Sequence, residues 1–312
     1  MQTALTQMLG IEKPLIMAPM FLVSNEAMII AGLEKGVTGA FPALNYRTLD
    51  ELRTAIRNIQ SKSSKPFGIN LIVNQSNLKL EGQLKVCVEE KIGFVITSLG
   101  SPKKVIEACK PARIKVFCDV VDLEYAQKVE SLGADALIAV NASAGGHCGP
   151  KSKEELIPLL TANCKIPVIS AGGVSKKGDV EEAIALGAAG VSVGTVFIAT
   201  HESPVSEDYK QAIVNYGAKD IVLSTKLSGS HLTVINTPYV QELGTEASWL
   251  ERMMKKHKWL KKWLKMLVFY KGMKKIEKAA FGATYQTVWC AGPSIENVHS
   301  IRSVAQVIDD IL

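Results

Sequence analysis

Short apolar runs closed by turn residues alternate along this chain with longer stretches whose apolar positions recur at helical spacing. The runs are Leu15–Met20, Val37–Ala43, Phe67–Val73, Phe94–Leu99, Ile114–Val120, Ala136–Val140, Pro167–Val174 and Gly190–Phe197. They are mostly continuous rather than alternating, the pattern of strands buried on both faces in a parallel sheet. Between them, capping residues mark helix starts and glycines mark ends. Ser24 is placed to cap a helix running to about Lys35, and further helices are predicted over Thr48 to Ser61 and Asn77 to Lys91. Pro102 suits an early helical position after Ser101, and a helix from Leu123 to Leu132 is closed by Gly133. Another starts near Ser152 with Glu154 and Glu155 in its first turn, and the next ends at Gly187.

Eight strand–helix units predict an α/β fold, a closed (β/α)₈ TIM barrel. A doubly wound open sheet is the alternative, but no Gly-x-Gly-x-x-Gly turn follows the first strand. The barrel is expected over residues 1–220. A small, mostly helical, Lys-rich lid or insert is expected over 221–285, and a C-terminal helix returning to the barrel over 286–312.

Barrel chemistry gathers where strands end at the carboxyl face. The residues at or just past those ends are Met20, Asn70, Ser98, Asp119, His147, Gly172 and Thr195, a convergence of polar and small side chains from many strands. His147 stands on the loop Asn141 to Pro150, built almost wholly of small residues that let backbone N–H groups approach a ligand. After the last two strands come Ala171-Gly172-Gly173 and Gly194-Thr195, placed where many barrels bind phosphate. No Lys lies in either loop, so backbone N–H groups and the Thr195 hydroxyl would carry the anion. Close packing of helix on strand is the other reason for such glycines. A site on one flank of the mouth suits a long phosphorylated cofactor such as FMN, its ring reaching towards Met20, Asn70 and His147.

Composition adds limits. Hydrophobic residues at 47% and charged residues at 21% are ordinary for a globular protein. No apolar run is long enough to cross a bilayer, and the start lacks the basic and apolar regions of a signal peptide. Six scattered cysteines without a Cys-x-x-Cys pair fit reduced thiols, so a cytoplasmic location is expected. No His and carboxylate cluster has metal spacing, and no catalytic metal is expected. The net charge of +6 is concentrated: Glu251 to Lys278 holds eleven Lys or Arg against two Glu, which leaves the rest slightly acidic. That argues against a general nucleic-acid surface. Within this segment Trp259, Leu260, Trp263, Leu264, Leu267 and Val268 recur at helical spacing opposite Lys258, Lys261, Lys262 and Lys265. Such an amphipathic helix reads as a lid over the barrel mouth, or as a dock for an acidic partner or an anionic membrane surface.

Ala18-Pro19-Met20, Phe41 to Thr48, Ala144-Gly145-Gly146-His147, and Ser170 to Gly173 through Gly194-Thr195 occur in that order. Together they resemble the nitronate monooxygenases, formerly called 2-nitropropane dioxygenases, FMN enzymes on a TIM barrel. The motif is shared with a sister group, the flavin-dependent enoyl-acyl-carrier-protein reductases. The resemblance implies FMN held near Ala18, Pro19 and Met20, by Asn70, and by the loops at Ala171-Gly172-Gly173 and Gly194-Thr195. Ser98, Asp119, Ala144, Gly145 and Gly146 belong to the same expected cofactor site, with His147 as the catalytic residue. It implies a nitronate substrate, oxygen as co-substrate, and a homodimer as the assembly to test. Two places depart from the pattern. Ala291-Gly292-Pro293-Ser294 replaces Ala-Gly-Gln, and Pro293 offers neither N–H nor side-chain amide. His231-Leu232-Thr233 stands in a region that shapes the substrate pocket in the family. Chemically, His147 suits two tasks: as imidazolium it donates to nitro oxygens, and as imidazole it takes the carbon proton of a nitroalkane. The alternatives are an NAD(P)H-dependent flavin reductase of enoyl thioesters and a flavin-binding module without turnover.

Overall fold

The computed structural model describes residues 1–225, 231–245 and 288–312. Eight parallel strands close on themselves: β1 (Leu15–Met17), β2 (Thr38–Pro42), β3 (Gly68–Ile72), β4 (Phe94–Ser98), β5 (Lys115–Val120), β6 (Ala136–Val140), β8 (Val168–Ala171) and β9 (Gly190–Val193). Closure is made by β1 on β9, with Ile16 opposite Ser192. This is the expected TIM barrel.

The period-2 alternation of each strand sorts its side chains between two cores. Outward residues such as Val95, Val116 and Val168 pack under the helices. Inward residues fill the barrel: Ile16, Ala40, Phe94, Ile96, Phe117, Ile138 and Ile169. Phe94 and Phe117 stack with ring centroids 5.0 Å apart. The amino end is stoppered by α1 (Ala4–Leu9), which puts Leu5 and Leu9 into the same cluster. That short helix was not expected from the sequence. It is fixed by a reciprocal cap between Thr3 and Thr6 and by Gly10, whose φ of +64° ends it. Going up the barrel, the inward register turns polar: Asn70 follows Gly68 by two residues, Ser98 follows Ile96, and Asp119 follows Phe117.

Helix limits differ from expectation where two capping residues compete. The second helix, α2 (Glu26–Glu34), is capped by Asn25, whose Oδ1 accepts from Met28 N at 2.9 Å. Ser24 instead ties its own loop, accepting from Met20 N and donating to the Ala18 carbonyl, both at 2.9 Å. The helices α3 (Leu49–Lys62), α4 (Leu80–Glu89), α5 (Lys103–Cys109), α6 (Leu123–Ser131), α7 (Lys153–Asn163), α8 (Asp179–Ala185) and α9 (Glu207–Asn215) complete the ring. The α4 helix is shorter than predicted because Asn74 and Asn77 side chains hold a turn before it. Pro102 caps α5 rather than entering it. The last two barrel strands also stop early, β8 at Ala171 and β9 at Val193, and a 3₁₀ turn begins at Thr195.

Beyond the barrel, the two-residue strand β7 (Gly146–His147), β10 (Ile221–Ser224) and β11 (Leu232–Ile235) form a small antiparallel sheet. The described part of 221–285 therefore holds two strands and α10 (Pro238–Leu243). The Lys226–Ser230 stretch and the basic segment 251–278 lie outside the described residues. The returning chain, described from Val288, bridges Val234 through Cys290 and ends in α11 (Val304–Ile311), whose Asp309 pairs with Lys35. Among the described residues no helix is long and apolar enough to cross a membrane. All six cysteines are free, as expected.

Phe94 is fully buried at the centre of the barrel interior. Phe94→Ala should lower stability by about 3–5 kcal/mol, measured by chemical denaturation, since the packed barrel cannot collapse around the lost ring.

Candidate active site

A cavity of about 820 Å³ opens at the carboxyl end of the barrel. Ala18, Pro19 and Met20 reach it from the end of β1, and Asn70, Ser98 and Asp119 from the ends of β3, β4 and β5. Ala144, Gly145, Gly146 and His147 enter from the loop after β6. Ala171, Gly172 and Gly173 follow β8, and Gly194 and Thr195 follow β9. The residues expected in the cofactor site, with His147, thus meet in one place. No Lys or Arg lines the cavity among the described residues.

The loops after β6 and β8 are drawn together by Asn141, a buried residue not singled out in the sequence. Its Nδ2 donates to the Gly172 carbonyl at 3.0 Å, and its Oδ1 accepts from Ser143 N at 2.8 Å. The fit leaves no room for side chains. A Cβ on Gly172, whose φ is +113°, would lie 2.5 Å from Ala144 N, and one on Gly145 would lie 2.6 Å from Thr195 Oγ1. Gly292 N donates to that same Oγ1 at 3.0 Å, so the Ala291-Gly292-Pro293 turn joins the stack and the Thr195 hydroxyl proton stays free to donate. The Gly292 backbone N–H is thus engaged by protein.

Backbone N–H groups of Gly173, Gly194 and Thr195 meet no acceptor among the described residues. Thr195 also begins a 3₁₀ turn, adding a helix-start dipole. With no Lys or Arg lining the cavity among the described residues, these donors have the chemistry of an anion cradle, and a phosphate fits them. Asn70 stands on the strand four places round the eight-stranded ring from β8, directly across the mouth. A group held by phosphate at one wall and by Asn70 at the other spans the barrel end.

That far wall is ordered by hydrogen bonds. Asn70 Nδ2 donates to Ser98 Oγ at 2.8 Å and to the Ile96 carbonyl at 3.2 Å, and Ser98 Oγ donates to Asp119 Oδ2. Burial pushes the Asp119 carboxyl up to about 6, with the Ser98 hydrogen bond opposing the rise.

His147 lines the cavity, and its side chain makes no hydrogen bond among the described residues. Its backbone is fixed because β7 pairs with β11, Leu232 lying opposite His147. Thr233 strengthens that pairing by donating to the carbonyls of Ala144 at 2.8 Å and Gly146 at 3.2 Å. Protein around the ring strips water from the imidazolium, and the pKa falls below the ordinary 6.5. The imidazole is therefore neutral at neutral pH. Tyr125, Tyr209 and Cys290 also line the cavity and were not anticipated as site residues, whereas His231 and Leu232 line it in the region expected to shape the substrate pocket. Only the Leu232-Thr233 apolar alternation beside His231 could have hinted at a strand there.

The nitronate monooxygenase family model matches residues 2–81 and 76–312. The chain belongs to the nitronate monooxygenase family. Family members are oxidoreductases, and so is this protein. It is 30% identical over 272 residues to a nitronate monooxygenase of Paraburkholderia phytofirmans, covering 72% of this chain and 74% of that one. It is also 30% identical over 243 residues to a Rhodococcus jostii enzyme, (3aS,4S,5R,7aS)-5-hydroxy-7a-methyl-1-oxo-octahydro-1H-indene-4-carboxyl-CoA dehydrogenase, covering 78% of this chain and 68% of that one. The structure of FabK from Thermotoga maritima superposes with a TM-score of 0.85 at 30% identity, covering 100% of this chain and 95% of the other. Nitroalkane oxidase from Streptomyces ansochromogenes shares the fold, with a TM-score of 0.81 at 22% identity over 99% of this chain and 96% of that one. Family membership spans several substrates, so the reaction must be argued from the cavity.

The cradle is tested at Gly194. Its φ is −119°, so a side chain is conformationally allowed, and an added Cβ would sit 3.2 Å from the Met20 thioether inside the cavity. Gly194→Val should keep the fold by circular dichroism and, if the cradle holds the phosphate of the flavin that the sequence resemblance implies, lower flavin occupancy measured by visible absorbance. Unchanged flavin content would count against the phosphate site.

Proposed function

We propose that the cavity binds FMN non-covalently and that the protein oxidises alkyl nitronates with molecular oxygen. Support for the cofactor comes from the N–H cradle without cations, the polar wall across the mouth, and membership of the family. When bound, FMN supplies the redox chemistry, taking electrons from the nitronate and passing them to oxygen. The chain's own residues bind, orient and move a proton. Glycine loops bring N–H donors up to an anion, and the cavity walls exclude bulk water, which strengthens those hydrogen bonds.

The observation that carries the reaction assignment is the His147 side chain lining that cavity with no hydrogen-bond partner among the described residues, its pKa lowered by the protein around the ring. As a free base it can take the carbon proton of a nitroalkane and generate the nitronate in place. An enoyl-thioester reductase, the second reading, is favoured by the whole-chain match to FabK, an enoyl-acyl-carrier-protein reductase. Reduction needs a proton delivered to the substrate carbon, and a histidine held neutral serves that task less well. The two readings separate under anaerobic conditions. Bleaching of the flavin by an alkyl nitronate supports the oxygenase, and bleaching by NADPH instead overturns it. Heat-released cofactor identified as FAD would overturn the FMN assignment.

His147→Ala should fold normally, because the residue is solvent-exposed and its side chain has no hydrogen-bond partner among the described residues to orphan. With a neutral nitroalkane the rate should fall by roughly 10²- to 10⁴-fold, the reach of one general base. With preformed nitronate the fall should be smaller, since the proton has already gone. Equal falls on both substrates would mean that the residue binds the anion without acting as a base.

The lowered pKa fixes the pH profile. A base with pKa below 6.5 is active above that pKa and protonated below it. The initial rate on fresh nitroalkane should therefore rise with pH along a limb centred under 6.5 and level off near neutrality. A limb centred above 6.5 would contradict a base stripped of water.

A further inference from the structure

Asn70, Ser98 and Asp119 form a chain of hydrogen bonds whose polarity is set by chemistry. The carbonyl of Ile96 can only accept, so the Asn70 atom 3.2 Å from it must be the amino nitrogen. The second amino hydrogen goes to Ser98 Oγ at 2.8 Å. Ser98 has one proton, and it is given to Asp119 Oδ2. With its proton committed, the Ser98 oxygen can only accept from Asn70. Both amino hydrogens are then used inside the wall, and Oδ1 is left as the atom of the amide without a partner among the described residues, on a side chain that lines the cavity.

We propose that Ser98 and Asp119 are positioning residues that hold the Asn70 carbonyl towards the cavity as an obligate acceptor for an N–H group of the bound ligand. This rests on the FMN reading above and deepens it. The isoalloxazine ring of oxidised flavin carries one N–H, at N3, on the pyrimidine edge. Asn70 lies directly across the barrel mouth from β8, whose loop supplies part of the phosphate cradle. An acceptor at the far wall therefore selects the pyrimidine edge over the dimethylbenzene edge, which has no donor to offer. Asp119 reinforces the choice that the Ile96 carbonyl already favours. Without it, the Ser98 proton could turn towards Asn70, and a rotated amide with its carbonyl on Ser98 would gain a donor that partly offsets its clash with the Ile96 carbonyl. An amino group would then face the N3–H, donor against donor.

The test compares FMN with 3-methyl-FMN, in which N3 has lost its proton. Dissociation constants are measured by flavin fluorescence on the full chain stripped of cofactor. The native protein should prefer FMN by about tenfold, the value of one net hydrogen bond near 1.4 kcal/mol. Ser98→Ala and Asp119→Ala should lower that preference measurably, the Ile96 carbonyl alone then holding the amide, while Ser98→Thr, which keeps the hydroxyl, should retain it. General damage to the cavity would weaken both flavins alike and leave the ratio unchanged, so the ratio reports orientation rather than stability. If either alanine variant fails to fold, the other still decides. A native ratio near one, or an undiminished ratio in the folded alanine variants, overturns the proposal while leaving FMN binding intact. A native protein that binds neither flavin removes both the proposal and the cofactor reading.

Discussion

At the mouth of this barrel, backbones touch backbones more closely than any side chain allows. Gly145 lies against Thr195 and Gly292, and Gly172 lies against Ala144 and Asn141. Glycine costs about 0.5–1 kcal/mol of extra chain entropy at each such position, and the hydrogen bonds of Asn141 and Thr195 offset it. The arrangement has two results. It turns unpaired N–H groups inward where a side chain would otherwise stand, and it fixes the root of the loop that carries His147. Replacing the glycines would separate the loops before it touched any reacting group.

The eight barrel strands were legible because strands covered on both faces need continuous apolar sequence, which Ala136–Val140 and Ile114–Val120 supply. Their ends were less so. β8 and β9 stop at Ala171 and Val193, since the glycines that follow adopt turn geometry that local apolarity does not disclose. At Ser24-Asn25 two good caps stand side by side, and only the loop's need to tie Ala18 and Met20 decides that Ser24 is spent elsewhere. The α1 stopper is too short to show a helical period, and it owes its place to the apolar floor it covers.

The site residues were legible one by one, because position at a strand's carboxyl end is enough to nominate them. Their relations were not. Nothing in the order Asn70, Ser98, Asp119 tells which atom donates to which; that depends on the shared inward register of three neighbouring strands. The pairing of Gly146 and His147 with Leu232 and Thr233 was hidden for the same reason. A two-residue strand has no period of its own, and its partner lies far along the chain.

The returning segment around Ala291 and Gly292 has a consequence for how the protein comes into being on the ribosome. Its turn lies on the Gly145 loop and on Thr195, and the carbonyl of Cys290 accepts from the Tyr209 hydroxyl at 2.6 Å while Trp289 stacks on the same ring. Barrel closure needs only the strands up to β9, so a nascent chain can fold its barrel well before residue 292 leaves the exit tunnel. Until then Thr195 lacks the N–H that orients its hydroxyl. A cofactor bound as proposed would meet its complete site only once this segment has docked.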